Sequence, residues 1–164
     1  MQLDGLIHDL PQTAKLFLTA FVIVLSIGYV TGLMFVTQTD SHTPVGMEQN
    51  YLGNEAVESP EVMKFEKGER EMLTILHTHI LSLSFIFFFM GVLVAITSIP
   101  KRLKAVIMVE PFVSIVLTFG GIFLLWKGQT WVKYIVMLSG IAMTLCYFAG
   151  VFVVLKGIWT SPKK

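Results

Sequence analysis

The sequence predicts an all-α integral membrane protein, a four-helix up-down-up-down bundle with one long outer loop. Three observations predict it. Over half of the 164 residues are hydrophobic and only 14% are charged, too apolar a balance for a water-soluble domain. The apolar residues gather in four runs, each near the roughly 20 residues that carry a helix across a ~30 Å hydrocarbon core. None of the runs alternates as a barrel strand does, and hydrocarbon admits only helices and closed barrels.

Span one covers about residues 16–36. It is longer than the apolar core of a signal peptide, and Asp4 and Asp9 precede the first lysine, so it is expected to be retained. The loop, residues 37–71, carries turn chemistry at Thr43-Pro44, Leu52-Gly53-Asn54 and Ser59-Pro60, so 40–59 reads as turns. Its charged end, Lys64 to Glu71, is helix-compatible and is expected to continue span two above the membrane. Span two covers about 72–99, stopped by Pro100; span three about 105–126; span four about 132–155. All belong to one domain, 1–164. Trp126, Trp131, Tyr134 and Tyr51 suit the outer interface, and Trp159 the inner one. Cys146, the lone cysteine, lies in an apolar run and has no internal partner.

Basic residues near span ends set orientation. Lys101, Arg102 and Lys104 share one side with Lys15, Lys156, Lys163 and Lys164. The loop holds most of the acidic residues, among them Glu48, Glu55, Glu58, Glu66, Glu69 and Glu71. Both termini are therefore expected in the cytoplasm. A formal net charge of +1 gives no reason to expect a nucleic acid partner.

One constellation carries chemistry. His77 and His79 lie in span two, roughly 8–10 Å inside its outer boundary. Ionisable groups at that depth are rare and point to function. Residues two apart on a helix face about 200° apart. One metal ion therefore cannot take both histidines, whereas two separate groups can. Gly91 lies near the angular face of His79, which favours His79 as the inward one. Met34 and Met137 fall at matching depth and offer thioethers to heme iron or Cu(I). His42, with Glu48 and Tyr51, could fold down from the loop. A bis-histidine heme would need His42 or a second copy of the chain.

Each feature also has a plainer reading. The histidines could hydrogen-bond Thr78, Ser82, loop carboxylates or water. Gly28 and Gly32 form a small-xxx-small helix-packing pattern, and the methionines fill gaps. Glu110, in span three beside Pro111, could take part in proton movement, pair with Lys104 or Lys156, or cap a helix distorted by Pro111. No nucleophile–base pair, phosphate-binding loop or zinc motif is present.

The run Glu71-Met72-Leu73, then His77-Thr78-His79-Ile80-Leu81-Ser82, with Gly91 after it, resembles an uncharacterised bacterial family of four-span inner-membrane proteins. That family carries a His-x-His-hydrophobic-x-Ser helix. Asn50-Tyr51-Leu52-Gly53-Asn54-Glu55 is similar to its Tyr-x-Gly segment. The likeness covers roughly residues 30–100. Leu76 stands where the family has a threonine before the first histidine. The resemblance implies the architecture and the site residues, and no reaction.

The expected function is a membrane subunit or assembly factor of a bacterial electron-transfer complex in the inner membrane, without independent catalytic activity. It would ligate heme b or copper near the outer face through His77 or His79. Its partners are lipid and either other membrane subunits or further copies of itself. The alternatives are a structural interaction protein with no cofactor and a small proton-coupled transporter using Glu110 and the histidines.

Overall fold

The computed structural model describes residues 4–58, 60 and 62–160. Five α-helices follow in order: α1 (Gln12–Gln38), α2 (Pro44–Leu52), α3 (Glu69–Ala95), α4 (Lys101–Trp126) and α5 (Lys133–Trp159). All but α2 are long and apolar enough to cross a bilayer. The chain is an all-α membrane bundle. Short connections make α3, α4 and α5 successively antiparallel. Along α1, Thr19 meets Trp159, Ser26 meets Tyr147 and Tyr29 meets Thr144, so α1 runs antiparallel to α5.

Packing is uneven. The α4–α5 seam is the tightest, with Gly121 opposite Val136 and Gly150 against Met90 and Ile107. A Cβ at Gly121 would sit 2.6 Å from Val136 Cγ2, and valine is stiff in a helix. Gly121→Ala is expected to cost about 1–3 kcal/mol. At neighbouring Gly120 a Cβ meets nothing within 4 Å, so Gly120→Ala should leave thermal unfolding in the same detergent unchanged or slightly improved. Equal midpoints for the two variants would contradict this packing.

Span one is held at mid-height by an aromatic cluster. Tyr29 and Tyr147 stack with centroids 3.9 Å apart and rings nearly parallel, with Phe87 and Phe148 edge-on. The Tyr147 hydroxyl shares a 3.1 Å hydrogen bond with Ser26, and that of Tyr29 a 3.2 Å bond with Thr144.

At the end carrying both termini, the chain before α1 closes the bundle. A short 3₁₀ turn, Leu6–Asp9, buries Ile7 completely against Gly157 and Thr97. Lys104 Nζ donates to the carboxylate of Asp4 at 2.6 Å and to the carbonyls of Ala95 at 2.8 Å and Thr97 at 2.9 Å. The amide of Ile7 donates to the Ile96 carbonyl. These donors explain why α3 stops at Ala95 and not at Ile99: the carbonyls at its end are taken by the N-terminal segment and Lys104.

The opposite end, the loop end, corrects three sequence expectations. Thr43-Pro44 opens a helix and not a turn: Thr43 Oγ1 accepts from the Gly46 amide and Pro44 takes the first helical position of α2. The Lys64–Glu71 segment is helical only from Glu69. Ahead of it the backbone is extended and pairs with the Tyr51–Asn54 backbone through an antiparallel bridge between Leu52 and Glu66. Tyr51, expected at the lipid interface, is buried beneath this loop, which pushes its phenol up to about 12. The helix α2 packs on α4 and α5, where Lys133 reaches Glu48 at 2.5 Å. Ser59 of the Ser59-Pro60 turn, and Lys163 and Lys164, lie outside the described residues.

Candidate functional site

The histidine helix is thinly covered where it carries the histidines. Met72 and Phe87 of α3 are buried, yet no residue from Leu73 to Ile86 is, and His77 to Ser82 are all exposed. Six consecutive helical residues sweep every direction around the axis. That turn and a half therefore has no complete protein face against it. On α1 the same holds beyond Tyr29, where only Leu33 is partly covered as far as Gln38. The tight α4–α5 seam continues to the loop end while α1 and α3 lose cover there.

The two histidines differ. His79 turns toward α4, its ring lying over Phe119 with centroids 5.3 Å apart. Its Nδ1 is 2.8 Å from the Ile75 carbonyl oxygen. A carbonyl only accepts, so the hydrogen sits on Nδ1. In the neutral ring, Nε2 is then left with a lone pair. Metal-ligating histidines commonly have this outer-shell arrangement. His77 has no hydrogen-bond partner among the described residues. Among the described residues neither imidazole bonds Thr78, Ser82 or a loop carboxylate, and Ser82 donates to the His79 backbone carbonyl, which leaves water as the partner in the plainer reading.

The other candidates lie on other elements. Met34 is exposed on α1, Met137 packs partly into the core from α5, and His42 is exposed in the turn before α2. Among the described residues no three His, Cys, Asp or Glu side chains cluster as a metal site would. Gly28 and Gly32, read as packing residues, have nothing within 4 Å of where a Cβ would stand, so no helix of this chain packs on them.

Glu110 pairs with neither Lys104, which is bound to Asp4, nor Lys156; no ion pair to it is present among the described residues. Instead Ser114 donates to its Oε1, Oε2 is buried without a partner, and the Cys146 thiol lies against the carboxyl. One turn further along the α4–α5 seam, Thr118 and Ser139 share a 2.7 Å hydrogen bond. Sequence reasoning missed this seam and the Tyr29–Tyr147 pair. The signal was available: tyrosine belongs at membrane interfaces, and one in the middle of a span needs a partner for its hydroxyl.

A family model described as a transmembrane helical domain (Aq_1264_TM) matches residues 41–164, which leaves out α1. No curated protein and no solved structure matches the chain significantly.

Proposed function

The chain belongs to this family of transmembrane helical domains, and from that premise we propose that it is a non-catalytic membrane subunit or assembly factor of a bacterial electron-transfer complex. In this reading His79 Nε2 supplies one ligand to heme b or copper shared with a second chain, and the thinly covered halves of α1 and α3 form the contact. The observation that carries it is the His79 imidazole. Its Nδ1 is committed to the Ile75 carbonyl and Nε2 is left free, at a depth where an unpartnered polar group is costly. The same reasoning gives His77, on the other side of the helix, a place against the partner chain. Basic Lys101, Arg102 and Lys104 support a topology with both termini on the cytoplasmic side of a bacterial inner membrane and the histidines near its outer face.

The test is an absorption spectrum with metal analysis on protein purified gently from native membranes. The wild type is expected to carry heme or copper. His79→Ala is expected to lose it, and His77→Ala to keep part of it while losing co-purifying chains. A protein with neither group, or with a content unchanged by both substitutions, sinks the redox reading and leaves a structural interaction protein.

The buried Oε2 of Glu110 favours a second reading, a small proton-coupled transporter. Proteoliposomes would then show pH-driven flux that Glu110→Gln abolishes.

A further inference from the structure

The extended strip before α3 has its polarity turned inside out. In a strand facing water, lysines point outward and phenylalanine inward. Here Val62, Met63 and Phe65 are 65%, 50% and 69% exposed, whereas the side chains of Lys64 and Lys67 are only 20% and 19% exposed. Both lysines are folded back on the protein. Lys64 Nζ donates to the Thr39 carbonyl at 3.1 Å and lies 3.5 Å from the Asp40 carboxylate; Lys67 pairs with Glu71 at 2.6 Å.

This outward apolar face is fixed. Asn54 is buried and pins the strip with three hydrogen bonds. Its Nδ2 donates to the Val62 carbonyl, its Oδ1 accepts from the Lys64 amide, and its own amide donates to the Lys64 carbonyl. The Lys67 amide donates to the Tyr51 carbonyl. A loop held this firmly could have buried Phe65, yet presents it outward.

The height of the strip identifies what lies outside it. Trp126, the last residue of α4, donates from Nε1 to the Lys67 carbonyl at 2.8 Å, and α3 starts at Glu69. The strip is therefore level with the span ends. At the same end Trp131 and Tyr134 are exposed in the manner of an aromatic belt. The apolar face of the strip thus continues the lipid-facing surface of the bundle.

We propose that Val62, Met63 and Phe65 form a membrane-surface anchor that seats in the headgroup–acyl boundary on the loop side of the bilayer. The anchor sets the depth at which α3 begins, two residues after Lys67. Because α3 is thinly covered as far as Ile86, lipid contact at its start supplies positioning that the bundle does not. The anchor stands on geometry alone and does not depend on a ligand at His79.

The experiment uses the full chain with Cys146→Ser as background, in nanodiscs of phosphatidylcholine and phosphatidylglycerol. Bimane is attached through Phe65→Cys, through Met63→Cys as a second site, and through Glu55→Cys as an exposed control in the same loop. Quenching is read with a lipid carrying a nitroxide near the top of its acyl chain, and separately with aqueous iodide. At 65 and 63, lipid quenching is expected to exceed that at 55 at least twofold, with iodide quenching several-fold weaker. Iodide quenching equal to that at 55, without lipid quenching, would show the strip in water and overturn the anchor. Protection from both quenchers would overturn it too, by showing a second protein chain over the strip.

Discussion

Lys104→Met is expected to lower the stability of the bundle by about 2–4 kcal/mol, read as a reduced thermal midpoint in detergent or nanodiscs. The side chain is nearly buried and its ammonium serves three acceptors. Two are carbonyls at and just beyond the C-terminal end of α3, those of Ala95 and Thr97, which the helix itself cannot satisfy, and a cation there also complements the helix dipole. Methionine preserves the stem and removes every donor. Lys104→Arg should recover part of the loss. Asp4→Asn should cost far less, because its carboxylate is exposed. The hydrogen bond from Lys104, then its charge, hold the Asp4 carboxyl below its usual range, with a smaller push from Lys101. A carboxyl lowered on folding stabilises above its unfolded pKa of about 3.9 and loses that contribution as pH falls through the lower folded value. The Asp4 contribution is thus fully present at neutral pH and vanishes only in strong acid. A Lys104→Met midpoint equal to wild type would show that these contacts do not hold the bundle end.

Tyr147→Ala is expected to release α1 from the rest of the bundle at a cost of about 2–4 kcal/mol. That is somewhat below the value for a large aromatic in a soluble core, because lipid can refill part of the space. Tyr147 is completely buried and touches Tyr29, Phe87, Phe148 and Ser26. Few other contacts tie α1 to the bundle at this height. Tyr147→Phe keeps the ring and deletes one hydroxyl, and should cost roughly 0.6 kcal/mol. Spin-label distances between α1 and α5 would report the outcome. A broadened distribution is expected in the alanine variant and a sharp one in the phenylalanine variant, with α4–α5 distances unchanged in both. A sharp α1–α5 distance in Tyr147→Ala would show that α1 is held elsewhere.

The bundle was legible in the sequence because hydrocarbon imposes a requirement that composition alone answers. A span must be long, apolar and helical, and little else competes. The loop end was less legible. Thr43-Pro44 has the same letters whether it starts a turn or caps a helix, and only the Gly46 amide placed on Thr43 Oγ1 distinguishes them. The charged run Lys64–Lys67 looked helical because its partners, the Tyr51 and Asn54 backbones, lie ten or more residues earlier. At the candidate site, His77 and His79 were conspicuous as polar letters in an apolar run. Their surroundings were not readable, because the rotation of α3 is set by contacts with Phe119 and the neighbouring helices. Ser26, Tyr29, Thr144 and Tyr147 went unnoticed because they meet across two spans far apart in the sequence. Glu110 was visible as a charge, while its neighbours Ser114 and Cys146 take their meaning from the seam.

The buried Ile7 has a consequence for the order of assembly. Its socket is made by Thr97 just past the end of α3 and Gly157 near the end of α5, so it does not exist until α5 has been made. Neighbouring antiparallel helices joined by short turns, α3 with α4 and α4 with α5, close small loops and can pair as they emerge. The first span has no such neighbour, because α2 and the extended loop separate it from α3. It enters the bilayer ahead of α3, α4 and α5 and is fastened after them, when the residues ahead of it find a socket completed by α5.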